Sequence, residues 1–283
     1  MQQNTNKVGL IVHACDRYEL LYQGFEHFFH QYWDFSIATN NYFATEEKTA
    51  NIKGFTNIKS GKGAWADRLK FILEEKVTEE YVLYLQEDMW FTKSVDGAFI
   101  NEVIEYALAN EIDCLKLHSS EVYQTNPTGV EFQGLSLGQL DNEKSGFLMS
   151  HQITIWKKSF LIQQLHKKEH PWRNERKATK RLKKINPAIY QIDYFAENGK
   201  GEVNQNKRPE IRSAYYTVSV NGMLGVNYNQ FVNNTYSDPS TAEYFNKLNH
   251  NFANQITHDG LAKPKKQDIF NKMKKLVKSK LKK

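Results

Sequence analysis

The residues best suited to chemistry are Glu87 and Asp88, two adjacent carboxylates that follow the apolar run Tyr81–Leu85. Such a pair at the end of a hydrophobic segment is costly unless something cationic meets it. Hard oxygen donors suit magnesium or manganese, ions that arrive naturally with a phosphorylated substrate. The plainer alternative is a solvated turn that holds nothing. A second candidate is Glu175, at the end of the stretch EHPWRNE, where Pro171 interrupts one helix and the next runs toward Leu182. The helix dipole alone stabilises a carboxylate in a first turn; the functional alternative makes Glu175 a general base. Asp16 and Arg17 follow a first apolar run, where an α/β sheet receives a nucleotide, or else they cap the next helix. Asp67 and Arg68 belong to the stretch KSGKGAWADRLKFIL, whose Gly61 and Gly63 permit an unusual turn. Lys59 or Lys62 would meet phosphate there, beside the positive end of a helix. No GK[ST] follows the glycines, so this is not a P-loop.

These residues need elements to position them. The run YVLYL has no polar alternation, which points to a strand buried on both faces of a parallel sheet. VGLIVHA, residues 8–14, has the same pattern and precedes a helical stretch over 18–32. A short second strand is expected over 35–38, ending at Thr39, Asn40 and Asn41, which begins a βαβ unit. Helices are expected over 64–73, 100–109 and 160–165, and strands over 112–117, 152–156 and 189–196. Residues 119–146 are rich in Gly, Asn, Ser and Gln, and read as an irregular or β-hairpin insertion carrying an acceptor pocket or a lid. Residues 211–236 read as strands or loops packed on the sheet. From 267 to 283, apolar residues share one helical face and lysines the other. That pattern fits a basic amphipathic helix on an anionic membrane, or a helix docked on its own domain or a partner.

Composition bounds the function. With 283 residues, 40% hydrophobic, and 17 Phe, 15 Tyr and 5 Trp, the chain can bury a large core. No apolar run approaches the roughly 20 residues of a membrane span, and MQQNTNK lacks the apolar core of a signal peptide. Cys15 and Cys114 are too few for a disulfide framework or a zinc site, so a cytoplasmic protein is expected. The last 21 residues hold ten Lys and one Asp, so they contribute +9 to the formal +6 and leave −3 for residues 1–262. A mildly acidic body weighs against nucleic acid as a partner. Nine Lys and Arg between Lys167 and Lys184 form a solvated helix face, or approach an anionic acceptor or membrane.

The succession of a βα unit, TNN, GKGAWADRL, LYLQED, HQITIW and EHPWRNE over about residues 7–200 resembles bacterial GT-A fold glycosyltransferases of the surface-polysaccharide and lipopolysaccharide type. The resemblance implies an α/β, Rossmann-like fold: a mostly parallel central sheet flanked by helices, with an irregular insertion and a C-terminal amphipathic helix. It implies a catalytic domain over 1–262, binding nucleotide with about 7–118 and acceptor with about 119–262, and a basic tail over 263–283. Asp88 would hold manganese or magnesium against the donor diphosphate, with Glu87 beside it and Gln86 where the family's motif begins with Asp. Ala14, Asp16, Arg17, Asn40, Lys62, Asp67 and Arg68 would hold the nucleotide, and His151 and Gln152 would lie near the donor sugar or the acceptor. Glu175 matches the family's catalytic base. The implied activity is metal-dependent, inverting transfer from a nucleotide-sugar to a glycan or lipid-linked acceptor, at the inner face of the cytoplasmic membrane. A sugar nucleotidyltransferase and a non-enzymatic carbohydrate-binding protein are the alternatives.

Overall fold

The computed structural model describes residues 7–200 and 209–262. The amphipathic helix expected over 267–283, and the membrane attachment read from it, lie outside the described residues. The chain begins with β1 (Val8–His13), a 3-10 turn (Asp16–Leu21), α1 (Tyr22–Tyr32), β2 (Thr39–Thr45), β3 (Thr56–Lys59) and α2 (Trp65–Glu75). It continues with β4 (Tyr81–Leu85), β5 (Met89–Phe91), α3 (Gly97–Ala109), β6 (Cys114–His118), and the hairpin of β7 (Thr125–Phe132) and β8 (Leu135–Leu140). Then come β9 (Thr154–Lys157), α4 (Lys158–Gln164), α5 (Pro171–Ile185) and β10 (Tyr190–Glu197). β11 (Ser213–Thr217), the small pair β12 (Ser219–Val220) and β13 (Met223–Leu224), and α6 (Pro239–Ala253) complete it.

The main sheet runs β3-β2-β1-β4-β9-β6-β10-β11-β5, with the β7–β8 hairpin attached through β8 to β10. β1 to β4 form one parallel block, and β6, β10 and β11 a second. β9 joins the blocks antiparallel to both of its neighbours, and β5 closes the far edge antiparallel to β11. The expected α/β class, a mostly parallel central sheet flanked by helices, is the fold observed. One connection dictates its shape. β4 stands fourth along this nine-strand path and β5 last, five places on, yet only Gln86, Glu87 and Asp88 separate them. Three residues span about 10 Å when extended, so the sheet must curl until its far edge returns to the carboxyl end of β4.

The unbroken apolar strands follow from two covered faces. Leu10, Val12, Leu83 and Leu85 face a core containing Phe25, Phe28 and Phe29 of α1 and Phe99 and Val103 of α3. Ile11, Val82 and Tyr84 face the opposite core, with Leu69, Ile72 and Leu73 of α2 and Ala178 and Leu182 of α5. Strand alternation thus splits each run between the two layers. No helix among the described residues is long and apolar enough to cross a membrane.

The second strand departs from the sequence reading. Residues 35–38 form a turn, in which the Asp34 carboxylate accepts the Ser36 N–H (2.8 Å) and the Gly97 N–H (3.2 Å), and Phe35 is exposed. The strand starts at Thr39, where the sequence reading had it end. Its polar half, Thr39–Asn41, is the less protected part of a strand near the sheet's edge, and Phe43 and Ala44 carry its burial. The 119–146 insertion takes its hairpin form, and α6 is an element the sequence reading did not contain.

Candidate functional site

Parallel strands deliver the residues after their carboxyl ends to one rim. That rim collects Ala14, Cys15 and Asp16 after β1, Glu46 after β2, Glu87 and Asp88 after β4, and His118 and Glu197 at the ends of β6 and β10. β9 runs the other way, so His151 and Gln152, which precede it, reach the same rim.

Glu87 is buried, and Oε1 accepts the Cys15 N–H at 3.2 Å. Burial, then the neighbouring Asp88 charge, drives its carboxyl well above the carboxylate range. Burial also raises Asp88. The turn is held from several sides: the Trp90 indole N–H donates to the Glu87 carbonyl (3.1 Å), and the Val218 N–H donates to that of Asp88 (2.9 Å). Among the described residues, no three His, Cys, Asp or Glu side chains converge into a ready-made metal cage. Two repelling carboxylates of hard oxygen fit a cation that brings its remaining ligands with it. Magnesium and manganese answer that description.

On one flank, Asp16 accepts the backbone N–H groups of Glu46 (2.9 Å), Glu47 (2.8 Å) and Lys48 (2.9 Å). Partial burial pushes its carboxyl up, but those three donors outweigh it and hold the carboxyl below its usual value. Asp16 therefore ties down the turn after β2 rather than capping the helix after β1. Arg17 is paired with Asp259 at 2.9 Å, and both face a wide cleft of about 760 Å³ between the 3-10 turn and α6. Arg68 is buried; its Nε lies 3.3 Å from Glu46 Oε1, and Nη1 donates to the Ala14 carbonyl at 3.3 Å. Asp67 is half-buried in the first turn of α2, and Lys62 is an exposed partner of Glu47 at 2.8 Å. Asn40 does not join this group. It pairs in register with Gly9 at the start of β1, and its amide donates to Glu79 (2.5 Å), at the rim opposite the site. The shifted start of β2 is the reason, and Glu46, which the sequence reading passed over, is the residue that β2 delivers beside Arg68.

On the other flank, Glu175 lies half-buried at the fifth residue of α5, past the first turn where the sequence reading had it, and its Oε1 accepts the His151 N–H at 3.0 Å. Pro171 opens that helix, and the His170 ring caps it by accepting the Arg173 N–H. Burial raises the Glu175 carboxyl, against the pull of the Lys116 charge. The Lys116 ammonium is buried 5.0 Å from the Tyr123 ring centre. His151 packs its ring 4.4 Å from Trp65 and shares a 3.0 Å hydrogen bond with Asn174. Burial drives its pKa down to about 3, so it stays a neutral core histidine joining the two flanks.

Glu175 lines a cavity of about 170 Å³ with His118, Tyr123, Gln152 and Glu197. Glu197 was not foreseen from the sequence, where it reads as the first residue of a turn behind the strand over 189–196. Burial raises its carboxyl to about 7, with the Glu175 charge adding and Lys200 opposing. Gln152 Oε1 accepts the Tyr215 hydroxyl at 2.8 Å, and the Glu197 and Asp88 charges both act on that hydroxyl. The rim thus sets a carboxylate pair, Glu87 buried and Asp88 half-buried, near a second carboxylate pocket. Chemically, it can hold a cation with an anion at the first and accept a proton at the second.

No family model matches the sequence, and no curated protein matches it. Among solved structures, S. aureus TarS 1-349 in complex with UDP-GlcNAc aligns over 88% of this chain and 72% of its own, at 12% identity and a TM-score of 0.44. A crystal structure of S. aureus TarS aligns over 87% of this chain at 10% identity and a TM-score of 0.44, and this chain spans 43% of its length. UDP-glucose pyrophosphorylase complexed with UDP-glucose aligns over 66% of this chain and 90% of its own, at 8% identity and a TM-score of 0.39. Likeness of this depth assigns no activity.

Proposed function

We propose that this chain is a glycosyltransferase that moves a sugar from a nucleotide-sugar to an acceptor hydroxyl with inversion at the anomeric carbon. One observation carries the reading: the Glu87–Asp88 turn and the Glu175 cavity share one rim, and the Tyr215 hydroxyl that donates to Gln152 feels the charges of both Glu197 and Asp88. The nucleotide would lie on the Asp16 and Arg68 flank, with its diphosphate toward Asp88 and the acceptor in the Glu175 cavity. Asp88, with Glu87 beside it, would hold magnesium or manganese, which when bound neutralises charge on the departing diphosphate. Glu175 accepts the acceptor hydroxyl's proton as that oxygen attacks the anomeric carbon and the carbon–oxygen bond to the diphosphate breaks. The His151 N–H fixes the orientation of the carboxylate and, with the nearby Lys116 charge, opposes the rise that burial imposes on it.

The test is a donor screen over UDP-, GDP-, CMP- and dTDP-sugars with manganese, read by nucleotide release and by the configuration of the product. Release of nucleoside diphosphate with an inverted linkage is the expected result. Consumption of a sugar 1-phosphate with release of pyrophosphate would replace transfer by nucleotidyl exchange.

A further inference from the structure

The exposed face of α5 carries Arg173, Arg176, Lys177, Lys180 and Lys183, and these five line a single groove of about 610 Å³ with Phe147. At a rise of 1.5 Å per residue the cations extend over about 15 Å of helix. Few opposite charges answer them. Lys177 Nζ lies 3.8 Å from Glu169, a partner already taken by Arg181 at 3.1 Å, and Lys183 Nζ donates to the Glu143 carbonyl at 3.0 Å. Residues 1–262 as a whole carry −3, so the patch is a local departure from the body's charge. Like charges set along one helix face repel one another. Phe147 also lines the cavity of Glu175 and Glu197, so groove and cavity meet at one side chain.

We propose that this groove is the acceptor site, and that the acceptor is a chain bearing repeated anionic groups, phosphate or carboxylate, laid along α5 and led past Phe147 to Glu175. The assignment of Glu175 rests on the transferase reading above. A concave groove that borders a cavity at Phe147 suits a chain better than a flat membrane. The chain's own last 21 residues, at +9, are the wrong charge to occupy it.

Trp172 gives a local reporter, since it is 60% exposed beside Arg173, whereas Trp33, Trp90 and Trp156 are buried and Trp65 partly so. Acrylamide quenching of the full-length protein is measured with an oligophosphate, an oligogalacturonate, a neutral dextran oligomer and phosphatidylglycerol vesicles. W172F identifies the signal. The oligoanions should protect Trp172, the dextran should not, and protection should fade with added salt. The triple variant R176Q/K180Q/K183Q should weaken oligoanion binding by about tenfold or more, as the loss of three charge-assisted contacts implies. Phosphate and carboxylate chains are ranked by their relative affinities. Equal protection in the triple variant overturns the proposal, and so does protection by vesicles alone, which would make the face a membrane contact. Calorimetry of the same protein with nucleoside diphosphates and manganese separates the two readings. Metal-dependent heat without Trp172 protection sinks the groove alone. Protection without such heat sinks the transferase reading, and the acceptor role with it.

Discussion

Glu175→Gln keeps an oxygen for the His151 N–H but removes the proton acceptor, so kcat should fall by about 10²- to 10⁴-fold while the donor KM changes little. Glu197→Gln should cost less than about tenfold at neutral pH, because Glu197 is not the assigned base. The two carboxyls can be separated by carbon-detected NMR titration. The Glu175 charge helps to raise Glu197, so in Glu175→Gln the Glu197 midpoint should drop below about 7. An unmoved midpoint would mean that the two groups do not share the cavity. Asp88→Asn should act in opposite directions on binding and on stability. Below the ordinary carboxylate range both Glu87 and Asp88 are protonated in folded and unfolded chains alike, and cost nothing. As pH rises, the unfolded chain ionises first, so the raised pKa values of Glu87 and Asp88 erode stability through neutrality. Asp88→Asn should therefore stabilise the ligand-free protein by about 1–3 kcal/mol near pH 8 and by much less near pH 5, while abolishing metal-dependent nucleotide binding. Thermal melts at the two pH values, with and without manganese and nucleotide, check both halves.

At the scale of elements, α1 touches the site through a glycine. A Cβ on Gly24 would run into the indole of Trp90, whose N–H holds the Glu87 carbonyl. Gly24→Ala should cost about 1–3 kcal/mol from overpacking, and should also weaken nucleotide binding, although α1 itself carries no proposed ligand. Denaturant melts with nucleotide titrations check this, and a variant that melts like the wild type would place Trp90 elsewhere. Most elements were legible. The runs at 8–14 and 81–85 sit between two helical layers, and such strands have no polar face to confuse the reading. Residues 35–38 misled because an apolar residue in a turn looks like one in a strand, and Phe35 stays exposed. That error carried Asn40 to the wrong rim and hid Glu46. Glu197 was invisible for another reason: its surroundings are built by Glu175, Tyr123 and Gln152, remote in sequence, and no local pattern announces a neighbour that only folding supplies.

At the scale of the molecule, a nucleotide that bridges the Arg68 flank and the Asp88 turn ties several strands of the sheet together, so it should stabilise the whole chain. At a hundred times Kd, a matched nucleoside diphosphate with manganese should add about 2.7 kcal/mol, or a rise in Tm of roughly 5–10 °C. A mismatched base should give far less. The direction of β9 has one more outcome. β6 leaves the rim at His118 and β9 begins beside it, so everything from 119 to 150 departs from and returns to the same edge. A change in the length of that excursion would leave the β1–β4 and β4–β9 ladders beneath Asp88 in register.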